Sequence, residues 1–133
     1  MQDTLPIHFA PLQGYTEAIY RNAHDAFFGG VDTYYTPFVR LEKGNFRRRD
    51  VRGIEPENNG VTHLIPQLIA SSAEKAEVIL SLFIEKGYQE VDINLGCPFP
   101  LLAKRHNGSG ILPYPEEVKA LLSIVTRYPQ ISF

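Results

Sequence analysis

Short runs rich in β-branched and aromatic residues recur along the chain, separated by segments of helical period. This alternation constrains the fold more than any other feature of the sequence. Residues 7–10, 33–39, 63–69 and 91–95 have the content of buried strands, and residues 131–133 read as the start of a fifth. Thr16 is a good N-cap, and Ile19, Ala23, Ala26 and Phe27 follow it at helical spacing until Gly29-Gly30. A Ser-x-x-Glu capping box at Ser71 predicts a second helix, with Ala73, Ala76, Ile79, Leu80 and Phe83 on its apolar face and Lys86-Gly87 at its end. Pro115 opens a third through Val118, Leu121, Leu122 and Val125, with Glu116 and Glu117 where the helix dipole favours them. Residues 41–62 are polar and predict an extended loop with room for one helical turn. The order β-α-β-loop-β-α-β-α-β implies an α/β fold, a parallel sheet with helices outside it. The sequence stops as the fifth strand begins, without a closing helix or polar tail, which predicts part of a longer protein.

The fourth strand ends in Asp92-Ile93-Asn94-Leu95-Gly96-Cys97-Pro98. Gly96 permits a sharp turn and Pro98 stops the strand. Ligands and chemistry collect at the carboxyl end of parallel strands, so this segment offers an amide and a thiol to a site there. The other reading of Cys97, the one cysteine in the chain, is a small buried hydrophobe.

At 133 residues the chain supports one modest core and not two ordinary domains. Hydrophobic content of 44% and charged content of 21% argue against disorder. A formal charge of −2 gives no global case for nucleic-acid binding and leaves room for a local basic patch. One cysteine forms no internal disulfide, which fits a reducing compartment. The first residues carry no charged n-region with a continuous apolar run, so no signal peptide is expected, and no apolar run approaches the roughly 20 residues that cross a bilayer. These features predict a soluble cytoplasmic protein without a metal-ligand set.

Several motifs together resemble one family. Ala10-Pro11-Leu12-x-Gly14-x-Thr16, Tyr35-Thr36-Pro37-Phe38-Val39, Pro66-Gln67-Leu68, the Asp92-Ile93-Asn94-Leu95-Gly96-Cys97-Pro98 strand end, and Lys104 with Gly108-Ser109-Gly110-Ile111-Leu112 occur in the order seen in tRNA-dihydrouridine synthases. The resemblance runs from about residue 7 to the end of the chain. It implies an FMN-dependent (β/α)8 TIM barrel followed by a smaller helical domain. Such a barrel takes roughly 250 residues. Residues 1–133 would then supply the first four βα units and the start of strand five, the N-terminal part of a flavin-binding catalytic domain. A flavin-contacting lysine, a later histidine and the phosphate loops would lie beyond it, so this chain alone is expected to bind FMN poorly and to be inactive.

The reaction implied is reduction of the C5–C6 bond of a tRNA uridine, with NADPH as reductant. The resemblance assigns the general acid to Cys97, flavin contacts to Pro11, Leu12 and Gln67, and a uracil contact to Asn94. A thiol with a pKa of about 8.5 is mostly protonated at neutral pH and suits an acid. Lys104, Arg105 and His106 would lower that pKa if they folded over it. Without the resemblance, Asn94 reads as a strand cap, Gln67 as a buried structural amide, and Pro11-Leu12 as an ordinary β–α turn. Lys104 and Arg105 are candidate phosphate contacts with tRNA, as is Arg47-Arg48-Arg49, whose other reading is a solvated face. Leu101 stands where the family often has a basic residue. Gly108-Ser109-Gly110 reads either as an anion nest or as a turn.

Two other readings stand beside this one. Dihydroorotate and dihydropyrimidine dehydrogenases carry an Asn-x-x-Cys-Pro segment at a comparable strand end and act on free pyrimidines. A non-catalytic half-barrel would instead expose unpaired strand edges and self-associate through them.

Overall fold

The computed structural model describes residues 4–133. In chain order the elements are β1 (His8–Phe9), α1 (Ala18–Phe27), β2 (Thr33–Tyr35), β3 (Leu41–Glu42), β4 (Asn45–Phe46) and α2 (Arg48–Ile54). Then come β5 (Leu64–Ile65), β6 (Gln67–Leu68), α3 (Ala73–Glu85), β7 (Asp92–Ile93), α4 (Pro100–Ala103) and α5 (Pro115–Arg127). Short 3₁₀ turns occupy Pro56–Asn58 and Gly108–Ile111.

Every pairing among the strands outside the β3–β4 hairpin is parallel. β1 pairs with β2 and β2 with β5, while β6 pairs with β7. The expected third strand is divided at Pro66, which has no N–H to give a ladder. Leu64–Ile65 serve β2 on one side, and Gln67–Leu68 serve β7 on the other. A parallel bridge from Val39 to Leu68 carries the second strand past Pro37, and one from Glu90 to Ser132 adds the final segment beside β7. The result is a parallel arc with α3 and α5 on its outer face.

The main core fills the space between arc and helices. Val39, Leu68, Ala76, Ile79, Leu80, Phe83, Val91, Leu121, Ile124 and Ile131 are buried together there. Each fully buried aliphatic or aromatic side chain contributes roughly 1.5–3 kcal/mol, enough to make this contact the main support of the sheet. A second, smaller cluster of Phe38, Ile69 and Leu102 lies at the carboxyl ends of the strands, and Cys97 packs against it.

Three local expectations change. Thr16 does not cap α1; that helix follows Glu17, which makes no capping bond. Thr16 Oγ1 instead accepts the Leu12 N–H at 2.8 Å and faces the Leu12 carbonyl at 3.3 Å, closing the loop after β1. Helix α3 is capped by Ser72, one residue past the expected serine, and Ser72 Oγ accepts the Lys75 N–H. Residues 41–62 are not an extended loop. They hold a two-residue hairpin turning at Lys43 and Gly44, both with positive φ, and the seven residues of α2.

A buried arginine fastens that segment to the body. Arg21 of α1 donates to the carbonyls of Thr16 and Gly53 at 2.7 Å and to Asn59 Oδ1 at 2.6 Å. Burial lowers its pKa to about 10, an effect that nearby Tyr88 and Glu17 partly oppose. No helix among the described residues is long and apolar enough to cross a membrane.

Candidate active site

The strand ends form a cleft of about 340 Å³ lined by Pro11, Leu12, Gln13, Pro37, Phe38, Gln67, Asn94, Cys97 and Pro98. Five of the residues singled out from the sequence, Pro11, Leu12, Gln67, Asn94 and Cys97, therefore meet in one place. Pro11 and Leu12 arrive from the loop that Thr16 closes, Gln67 from β6, and Asn94 and Cys97 from the end of β7.

One hydrogen-bonded chain orients the polar members. Gln67 Nε2 donates to Asp92 Oδ2 at 2.6 Å, and Asn94 Nδ2 donates to Gln67 Oε1 at 2.9 Å. Asn94 Oδ1 accepts the N–H groups of Gly96 and Cys97 at 3.1 and 2.9 Å. Asp92 thus fixes the Gln67 amide, Gln67 fixes Asn94, and Asn94 fixes the turn that carries the thiol. Each amide has two N–H donors, so one on each remains for a ligand. The turn is made by Asn94 and not by glycine freedom: Gly96 has no positive φ, and a Cβ there would meet nothing.

Cys97 is held from its other side as well. Its carbonyl accepts the Ser109 N–H at 3.0 Å and the Ser109 hydroxyl at 3.1 Å. The Gly110 N–H bonds to the Asn107 carbonyl. With two of the three N–H groups used internally, Gly108-Ser109-Gly110 clamps the Cys97 loop and is not an open anion nest. No hydrogen bond involves the Cys97 sulfur among the described residues. His106 does not fold over it either, being stacked on Tyr114 at 4.0 Å with Nδ1 bound to Glu117 at 2.6 Å.

The basic candidates lie elsewhere. Lys104 and Arg105 are exposed beyond α4, outside the cleft lining. Arg47 is committed to the buried Asp50 through two bonds of 2.8 Å, and Arg49 pairs with Glu17 at 3.3 Å. Of that run, Arg48 is exposed without an ion pair among the described residues. Gln13 is a cleft residue that no motif signalled. Its Oε1 is buried with no hydrogen-bond partner among the described residues, and only its place in a loop at a strand's carboxyl end pointed to it.

The cleft has an apolar wall of Pro11, Leu12 and Phe38, primary amides at one side, and no charged side chain in its lining. That combination fits the edge and face of a planar heteroaromatic ring and supplies nothing for a phosphate.

The model of the family described as dihydrouridine synthase (Dus) matches residues 8–130. A probable tRNA-dihydrouridine synthase 1 from Synechocystis sp. is 28% identical over 122 residues, covering 87% of this chain and 32% of that protein. A tRNA-dihydrouridine synthase B from Pectobacterium carotovorum is 24% identical over 118 residues, 89% of this chain and 36% of its own length. Over a shorter stretch of 61 residues, tRNA-dihydrouridine synthase B from Klebsiella pneumoniae is 33% identical, covering 46% of this chain and 19% of its own. The chain spans about a third of the length of the first two relatives. With a family match over nearly its whole length and the five motif residues in one cleft, the chain belongs to the dihydrouridine synthase family.

Proposed function

We propose that residues 1–133 are the N-terminal part of the flavin-binding catalytic barrel of a tRNA-dihydrouridine synthase, contributing its first four βα units and the start of strand five. The observation that carries this reading is the convergence of Pro11, Leu12, Gln67, Asn94 and Cys97 on one uncharged cleft at the strand ends. The activity is reduction of the C5–C6 bond of a uridine in tRNA, in the cytoplasm.

FMN, when bound, supplies the hydride that adds to C6, and NADPH supplies the electrons. Pro11, Leu12 and Phe38 would present the apolar surface for its ring, and the free N–H of Gln67 would be available to a polar atom of its edge. Asn94 offers its remaining N–H to a uracil carbonyl. The Cys97 thiol delivers the proton to C5 from the opposite face, and the bonds from Asn94 and Ser109 hold the thiol's backbone while it does so. Lys104 and Arg105 take RNA phosphates outside the cleft. The outer edge of β1, unpaired among the described residues, and the exposed apolar residues near it favour association of two such chains.

The test has two arms. Flavin fluorescence is titrated with FMN on this chain and on a version extended to a full barrel; binding by the extended protein with little by the short one is expected. In the extended protein, Cys97→Ala should lower dihydrouridine formation by about 10²-fold or more while leaving FMN binding intact. Unchanged dihydrouridine formation would end the acid assignment. Failure of both proteins to bind FMN would end the flavoenzyme reading.

A further inference from the structure

A second cavity, of about 250 Å³, opens on the far side of the wall that backs Cys97. It is lined by Arg40, Leu41, Lys43, Gly44, Ile69, Ala70, Lys75, Ile79, Leu102, Arg105 and Asn107. Ile69 and Leu102 belong both to this lining and to the small cluster on which Cys97 packs. One layer of side chains therefore separates the two spaces.

The lining is unusual in its charge. Four cations reach it from four places: Arg40 after the second strand, Lys43 at the hairpin turn, Lys75 in the first turn of α3 and Arg105 after α4. No carboxylate lines it, in a chain whose net charge is −2. The neighbouring acids only partly compensate. Glu42 lies 3.5 Å from Arg40 Nη2 and is half-exposed. Asp50 accepts the Arg40 backbone N–H at 3.4 Å but is committed through both oxygens to Arg47. Among the described residues Arg40 Nε is buried without a hydrogen-bond acceptor, and Lys75 Nζ donates only to the Ser71 hydroxyl. Four like charges converging on one space with donors to spare describe a receptor for an anion with several oxygens.

We infer that this cavity holds a backbone phosphate of the RNA substrate, next to the nucleotide whose base enters the Cys97 cleft. The inference rests on the proposed RNA substrate and deepens it. A base withdrawn from its stack carries its sugar to the mouth of the pocket, which leaves the flanking phosphates just outside. A cationic cavity that shares the Ile69 and Leu102 wall with the base cleft is near enough to receive such a phosphate. Its size admits one phosphodiester and part of a sugar, so a strand would cross it and not enter.

The test is binding of an unmodified tRNA transcript to this chain over a series of salt concentrations, without flavin. Arg40→Gln and Arg105→Gln should each weaken binding about fivefold at 0.1 M salt and lower the salt slope by about 0.7–0.9. The double variant should lose about 25-fold. Lys119→Gln, the same charge change on the exposed side of α5, should leave binding within about twofold. Arg105 is exposed, so its variant keeps the fold even if Arg40→Gln does not, and thermal unfolding of both checks this. Equal loss in Lys119→Gln, unchanged binding in Arg105→Gln, or no tRNA binding by the unmodified chain would each overturn the inference. So would loss of NADPH affinity with tRNA affinity retained, which would give the cavity to the reductant's phosphate. Each outcome is separate from the flavoenzyme reading, which is decided by FMN binding and the Cys97→Ala rate in the extended protein.

Discussion

Gly108 lets its loop pack directly against Cys97. Its φ is +58°, and a Cβ there would sit 2.6 Å from the Cys97 carbonyl oxygen and 2.9 Å from the Cys97 Cβ. Gly108→Ala should cost about 2–4 kcal/mol in urea unfolding, since a left-handed backbone and a steric overlap are imposed together. A full barrel carrying it should lose activity even where it folds. Tyr88 carries a different prediction. Burial pushes its hydroxyl up to about 12, with Glu55 adding to the shift and Arg21 opposing it, and the hydroxyl donates to the Ile54 carbonyl at 2.7 Å. The unfolded chain therefore releases this proton first. The contribution is intact below pH 10 and is lost as pH rises toward 12. Arg21, whose folded pKa lies below its unfolded value, works in the opposite sense above pH 10. Tyr88→Phe should then lose about 1 kcal/mol at pH 8 and close that gap to wild type by pH 11, measured as urea midpoints. At this scale the sequence made Asn94, Cys97 and Gln67 visible because a motif names them. Asp92 was visible only as a member of that motif, and its bond to Gln67, 25 residues away, was not. Arg21 and Gln13 were not visible, because Arg21 reaches partners 32 and 38 residues away and Gln13 Oε1 has no partner among the described residues.

Helix α3 shows how a local signal is read correctly in kind and wrongly in place. Ser71-x-x-Glu74 has the pattern of a capping box, but the cap falls on Ser72, and Ser71 instead accepts from the Lys75 ammonium. Ser72→Ala should cost about 1 kcal/mol and Ser71→Ala a few tenths at most, by thermal or urea unfolding. Equal costs would return the cap to a shared role. The parallel strands were legible from their β-branched content. Their division at Pro66 was not, because which neighbour each half serves depends on the curvature of the sheet. The hairpin and α2 were hidden for other reasons. Lys43-Gly44 is a weaker turn signal than Asn-Gly, and α2 buries Asp50 together with Ile54, so its buried side shows no apolar period.

On the scale of the whole molecule, the arc is finished unevenly. Its inner and outer layers meet well at β6 and β7, where α3 and α5 cover the sheet. At the other end β1, among the described residues, pairs with β2 alone. Around it Leu5 and Ile7, with Phe27 and Phe28 at the end of α1, stay exposed, the two phenylalanines at 85% and 81%. Exposed apolar side chains beside a strand edge left unpaired among the described residues offer a template for a second chain. None of these residues lines the cationic cavity. Sedimentation or gel filtration over a hundredfold range of concentration should show a monomer giving way to a dimer. Phe27→Ser with Phe28→Ser should shift that transition upward by about tenfold or more, because roughly 1.5–3 kcal/mol of burial is withdrawn for each ring that the contact covers. The extended protein should remain monomeric over the same range, since strands that continue the arc would cover β1 within one chain. A short chain that stays monomeric at every concentration would show instead that β1 and its flank are stable in water uncovered.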